Sequence, residues 1–61
     1  MPLIEVKLYD TRVADAAQVQ RIIDKLIDGL CEATDESIRE HTWVIVQGIP
    51  KEQWGRGSAT A

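Results

Sequence analysis

The residues most able to do chemistry stand at the start of the chain. Pro2 follows Met1 directly, and Leu3-Ile4-Glu5-Val6 comes at once behind it. If Met1 is removed, Pro2 carries a free secondary amine, a titratable group fixed at the end of a strand. A plainer reading also holds: proline is tolerated at the first residue of a strand, where no ladder donor is needed. Cys31 is the single cysteine and His41 the single histidine. Cys31 lies in a helix-like stretch with no histidine or basic residue close in sequence to activate it, so packing is its expected role. One Cys and one His do not make a structural zinc site without several well-placed carboxylates, and no metal or cofactor is expected.

These residues have to be positioned by a very small frame. The chain has 61 residues and reads as one domain, 1–61. A chain of this size buries only about 60% of the surface its unfolded form exposes. The usual supports are disulfides, a metal or oligomerisation. A lone cysteine rules out an intrachain disulfide, which leaves oligomerisation as the expected support. The net charge of −3 argues against nucleic acid as the partner, since phosphate binding wants a basic stripe. No apolar run approaches the length that spans a bilayer. The first residues have no basic segment followed by an apolar core, so no signal peptide is read there. The cytoplasm is the expected compartment, with no membrane partner.

Residues 2–9 read as a strand: Ile4, Val6 and Leu8 alternate with Glu5 and Lys7, a period of two. Pro2 is in phase with Ile4. Asp10-Thr11-Arg12 is a loop. Residues 15–33 read as a helix that opens with capping-box spacing at Asp15 and Gln18. Its apolar stripe is Val19, Ile22, Ile23, Leu26, Ile27 and Leu30, at steps of three and four. On the polar side, Arg21 can meet Asp24 and Lys25 can meet Asp28. Gly29 either permits a close backbone approach or is simply tolerated. Residues 34–40 form a polar connection. Residues 41–47, His-Thr-Trp-Val-Ile-Val-Gln, read as a second strand, broken by Gly48 and Pro50. Lys51 to Trp54 suits one helical turn behind Pro50, and Gly55 to Ala61 is a tail.

The order strand, long helix, strand is an α+β arrangement: a single β-α-β unit whose crossover favours parallel strands. Two strands and one helix do not make a stable unit alone. A second copy would extend the sheet to four strands with two helices on one face. Apolar residues fall on both parities, Ile4, Val6 and Leu8 on one and Trp43 and Ile45 on one of the second strand. The face away from the helices therefore also needs cover, which points to dimers that assemble further.

With these elements in place, the chain resembles the 4-oxalocrotonate tautomerase family. The similar stretches are Met-Pro-Leu-Ile-Glu-Val at the start, the loop that ends in Arg12, and Trp-Val-Ile-Val-Gln-Gly-Ile-Pro-Lys-Glu-Gln-Trp-Gly from Trp43 to Gly55. The resemblance covers nearly the whole chain; each piece is weak alone and the combination is fairly specific. It implies a β-α-β subunit, a homo-hexamer built as a trimer of dimers, and an N-terminal proline acting as acid and base on an enol or keto acid. Position by position, it makes Pro2 the catalytic proline, Arg12 the contact for the substrate carboxylate and Trp54 a wall of an apolar site. The sequence also departs from the pattern. Trp43 stands where the family has its second arginine. Arg39 lies four residues earlier, and the role is not carried to it. The first loop lacks the family's glycine, and the tail reads Gly-Arg-Gly-Ser where the family tends to Gly-Ile-Gly-Gly.

The chemistry so implied has definite needs. Moving a proton between oxygen and carbon needs one group that accepts and returns it, with a pKa near the working pH. Apolar burial and a nearby cation both disfavour an ammonium and lower its pKa, so Pro2 beside Ile4, Trp54 and Arg12 is expected well below free proline. Arg12 suits a carboxylate because its fork pairs both oxygens. A second cation would stabilise the dienolate oxygen. With Trp43 in that place, Arg56 and His41 are the options, and the Trp43 indole N–H is a weaker donor. Plainer roles stand beside these: Arg12 as a solvated loop residue, Trp43 as packing, Trp54 as interface and His41 as a surface group.

The leading expectation is therefore a cofactor-independent isomerase, a keto-enol tautomerase acting on a small unsaturated carboxylic acid. One alternative is a hydratase- or dehalogenase-like reaction on an unsaturated acid, with Pro2 protonated and acting as an acid. Another is a non-catalytic chain, or a subunit of a hetero-oligomer in which a partner supplies the missing arginine.

Overall fold

The computed structural model describes residues 2–57. Strand β1 spans Leu3–Tyr9, helix α1 Ala16–Ala33 and strand β2 Trp43–Ile49, with short 3₁₀ turns at Asp10–Arg12, Glu36–His41 and Lys51–Gln53. β1 and β2 pair in parallel, from Leu3 opposite Trp43 to Tyr9 opposite Ile49. This is the single β-α-β unit expected from the sequence. Met1 and the tail from Ser58 onward lie outside the described residues, and with them the question of Met1 removal.

Local chemistry sets the boundaries. The Asp15 carboxylate caps α1 by accepting from the Ala17 N–H at 3.0 Å, which satisfies one of the orphan donors of the first turn. At the other end Thr34 donates both its N–H and its hydroxyl to the Leu30 carbonyl. Asp35 caps the next 3₁₀ turn, accepting from the Ser37 N–H at 3.2 Å and the Ser37 hydroxyl at 2.9 Å. That turn occupies much of the stretch read as a polar connection, and it takes in His41. β2 accordingly starts at Trp43 rather than His41.

β2 also runs further than the sequence suggests. Gly48 and Ile49 belong to it, opposite Leu8 and Tyr9, so only Pro50 ends the strand. Gly48 was read as a breaker because its lack of a side chain weakens a strand. Here that lack makes room for a neighbour. A Cβ at Gly48 would lie 2.4 Å from the Val13 Cγ2 and 3.1 Å from the Asp10 Cα. At Gly29 a Cβ would meet nothing within 4 Å, so that glycine is tolerated in α1 without serving a close approach.

The helix covers one sheet face. Ile4, Val6 and Leu8 alternate as half-buried with exposed Leu3, Glu5 and Lys7; Val44 and Val46 alternate with exposed Trp43, Ile45 and Gln47. Because paired residues in register share a face, the uncovered face carries Leu3, Trp43 and Ile45, at 55%, 60% and 50% exposure. Among the described residues only Cys31 is buried, at 4% exposure, in line with its expected packing role. The apolar stripe of α1 stays half-buried throughout.

The surface charges pair differently from the helix-spacing expectation. Asp24 accepts from the Gln20 amide at 3.0 Å rather than meeting Arg21. Asp28 accepts from Arg39 at 2.8 Å rather than from Lys25. The competitor in the second case is a long-range guanidinium, which local spacing does not report.

Candidate functional site

Pro2 leads into β1 and is half-buried. Its carbonyl accepts from the Trp43 N–H at 3.0 Å. This bond pins the start of the chain to the start of β2 and sets Pro2 and Trp43 side by side at one end of the sheet. The Trp43 side chain is exposed and belongs to the uncovered face with Leu3 and Ile45. By strand alternation Pro2 falls on the helix-side face, in phase with Ile4.

Arg12 and Trp54 sit at the opposite end. Arg12 closes the 3₁₀ turn after β1 and is exposed. Trp54 follows the turn after β2 and is half-buried. Its ring meets Tyr9 edge to face, with centroids 5.1 Å apart and planes at 69°. Its indole N–H donates to the Ile49 carbonyl at 3.2 Å. Tyr9 was read from the sequence only as a strand former. Its place at the last position of β1, opposite Ile49, makes it the surface against which Trp54 is held.

The structure therefore brings together Pro2 with Trp43, and Arg12 with Tyr9 and Trp54, but not the two groups with one another. The strand between them, Leu3 to Tyr9, spans about 20 Å at about 3.3 Å per residue. In a parallel pair both strands begin at the same end, so no strand in this unit returns the chain to Pro2. A site holding Pro2, Arg12 and Trp54 needs a second chain that lays its far end beside the first chain's Pro2.

The remaining cations are placed as follows. Arg39 lies in a double ion pair with Glu36 and Asp28. The hydrogen bond from Glu36, then that from Asp28, holds its pKa further above its already high ordinary value. A guanidinium engaged in this way has its fork directed to carboxylates of its own chain, which agrees with withholding from it the second-arginine role. Arg56 and His41 are exposed. Asp35 has its pKa lowered by the Ser37 backbone N–H and then by the Ser37 hydroxyl. Its role is that of a cap.

An open groove of about 460 Å³ runs along α1, lined by Gln18, Arg21, Ile22, Lys25 and Leu26. None of the candidate residues lines it. It marks where the apolar stripe of α1 extends beyond the two strands it covers. Among the described residues no group of three or more His, Cys, Asp or Glu side chains could hold a metal ion, and no helix is long and apolar enough to cross a membrane.

No family model matches the chain, and no curated protein or solved structure matches it significantly.

Proposed function

We propose that the chain is a cofactor-independent tautomerase that interconverts enol and keto forms of a small unsaturated carboxylic acid. Pro2, freed by removal of Met1, is its general acid and base. The observation that carries this reading is the place of Pro2: at the head of the first strand, half-buried, and pinned to β2 through the 3.0 Å bond from Trp43. A strand-fixed amine keeps one geometry toward a bound substrate, which is what proton transfer requires. The proline nitrogen would take the proton from the enol hydroxyl as the C=O forms. It would then return that proton to carbon, leaving the amine as it began.

In this reading the working unit is a homo-oligomer, a trimer of dimers in the cytoplasm. Two features support an assembly. Pro2 and Arg12 lie at opposite ends of one chain's sheet, and the face with Leu3, Trp43 and Ile45 is uncovered. Arg12 of a neighbouring chain would hold the substrate carboxylate, and Trp54 would shield the amine from water and lower its pKa by desolvation. Trp43, next to Pro2, would contribute apolar area where a second cation might be sought.

A second reading, a subunit of a mixed oligomer, is favoured by one observation. Trp43 is not a cation, and Arg39 is taken up by Asp28 and Glu36. A partner chain would then supply the second cation.

The test is ketonisation of enol acids followed by ultraviolet absorbance. The protein is one whose intact mass proves Met1 absent, with Pro2→Ala alongside. A rate that Pro2→Ala loses by at least a hundredfold supports the proposal, in line with about 10²–10⁴ for a general acid-base group. A rate that the variant keeps refutes it. A chain that folds only with a partner points to the second reading.

A further inference from the structure

We propose that Gly48 is a positioning residue for Arg12: its missing side chain is the seat of Val13, and that seat fixes the turn that carries Arg12. The inference rests on the carboxylate-binding role proposed for Arg12, but its geometric part stands on its own.

The turn Asp10–Arg12 leaves β1 beside Gly48, the register neighbour of Leu8. Gly48 lies on the helix-side parity of β2, in phase with half-buried Val44 and Val46. At that position the sheet face is occupied by Val13 instead of a side chain of β2. The Val13 Cγ2 lies 2.4 Å from where a Cβ of residue 48 would be, and the Asp10 Cα lies 3.1 Å from it. Val13 is β-branched and stiff about χ1, so it cannot swing aside cheaply, and Asp10 Cα is backbone. Any Cβ at position 48 therefore has to push the turn outward. Residues 10 and 13 bracket Arg12 and are themselves joined by the Val13 N–H to Asp10 carbonyl bond at 3.2 Å. Displacing both ends of this bond displaces Arg12 with it. Gly48 does not have a left-handed backbone, so its identity is required by space and not by conformation.

This makes the sign of the test informative. At an unstrained strand position, replacing Gly by Ala ordinarily stabilises by restricting the unfolded chain. Gly48→Ala is expected instead to lower the unfolding midpoint by about 5 °C or more at fixed protein concentration. It is expected to raise KM for the enol of phenylpyruvate about tenfold while kcat changes less than threefold. Val13→Ala, added to Gly48→Ala, removes the clashing methyl and should recover most of both losses. An unchanged or raised midpoint in Gly48→Ala overturns the seat. A lowered midpoint with KM unchanged, where Arg12→Gln raises KM, overturns the positioning role. If Arg12→Gln leaves KM unchanged, the proposed role of Arg12 falls, and the seat is decided by the midpoint and its rescue alone.

Discussion

Ile45→Lys is the sharpest probe of whether the uncovered sheet face is an interface. Leu3, Trp43 and Ile45 are 55%, 60% and 50% exposed. Fully burying a Leu or Ile side chain is worth roughly 1.5–3 kcal/mol, so covering the exposed halves of Leu3 and Ile45 gives about 1 kcal/mol each. A buried Trp contributes about 150–250 Å²; covering the exposed part of Trp43 gives about 3 kcal/mol at about 25 cal/mol per Å². The face thus offers roughly 5 kcal/mol per chain before the cost of association. Ile45→Lys removes about 1 kcal/mol of this and adds an ammonium whose desolvation costs several kcal/mol, enough to reverse the balance. The single chain should tolerate the change, because Glu5 is the register partner of Ile45 and an opposite-charge pair across strands is mildly favourable. Loss of assembly would then come from the interface and not from a broken sheet. The assay is light scattering on size-separated protein over a range of concentrations, with circular dichroism as the fold check. Ala33→Lys, at the exposed end of α1, is the charge control. The expected result is a wild-type oligomer, an unchanged control, and an Ile45→Lys species of lower mass. A monomeric wild type, or an Ile45→Lys protein with wild-type mass, would refute the reasoning.

Asp15→Ala should cost about 1 kcal/mol through loss of the bond to the Ala17 N–H, read as a lower denaturation midpoint at unchanged oligomer mass. Arg39→Met should leave kcat and KM within twofold, because its guanidinium is engaged by Asp28 and Glu36; a tenfold loss would mean that Arg39 reaches the substrate. The Asp35 carboxyl has a lowered pKa, so its contribution is present above the ordinary carboxylate value and lost as pH falls through the folded value. The stability difference between wild type and Asp35→Asn should accordingly shrink on acidification, and a difference that grows as pH falls would contradict the capping account. Trp54→Ala should quench or shift the near-ultraviolet dichroism of the Tyr9 pair and raise the pKa read from the pH-rate profile of a Met1-free enzyme, since removing apolar cover favours the ammonium.

The amino-acid sequence by itself determined the order of elements. Alternation at Ile4, Val6 and Leu8 and the stripe from Val19 to Leu30 are local, and local spacing is enough to choose strand or helix. The same local signals placed the Asp15 cap and the turn behind Pro50. They also placed apolar residues on both sheet parities, which the register then assigned to a covered and an uncovered face. The tertiary structure decided what depends on distant neighbours. Gly48 looks like a strand end until Val13 is seen in its seat, and Asp28 looks like a partner for Lys25 until Arg39 arrives from eleven residues away. Most consequential for the candidate site, the spacing of Pro2 and Arg12 along the chain says nothing of their separation. Parallel pairing puts them at opposite ends of the sheet, because a crossover helix returns the chain to the starting end before β2 begins.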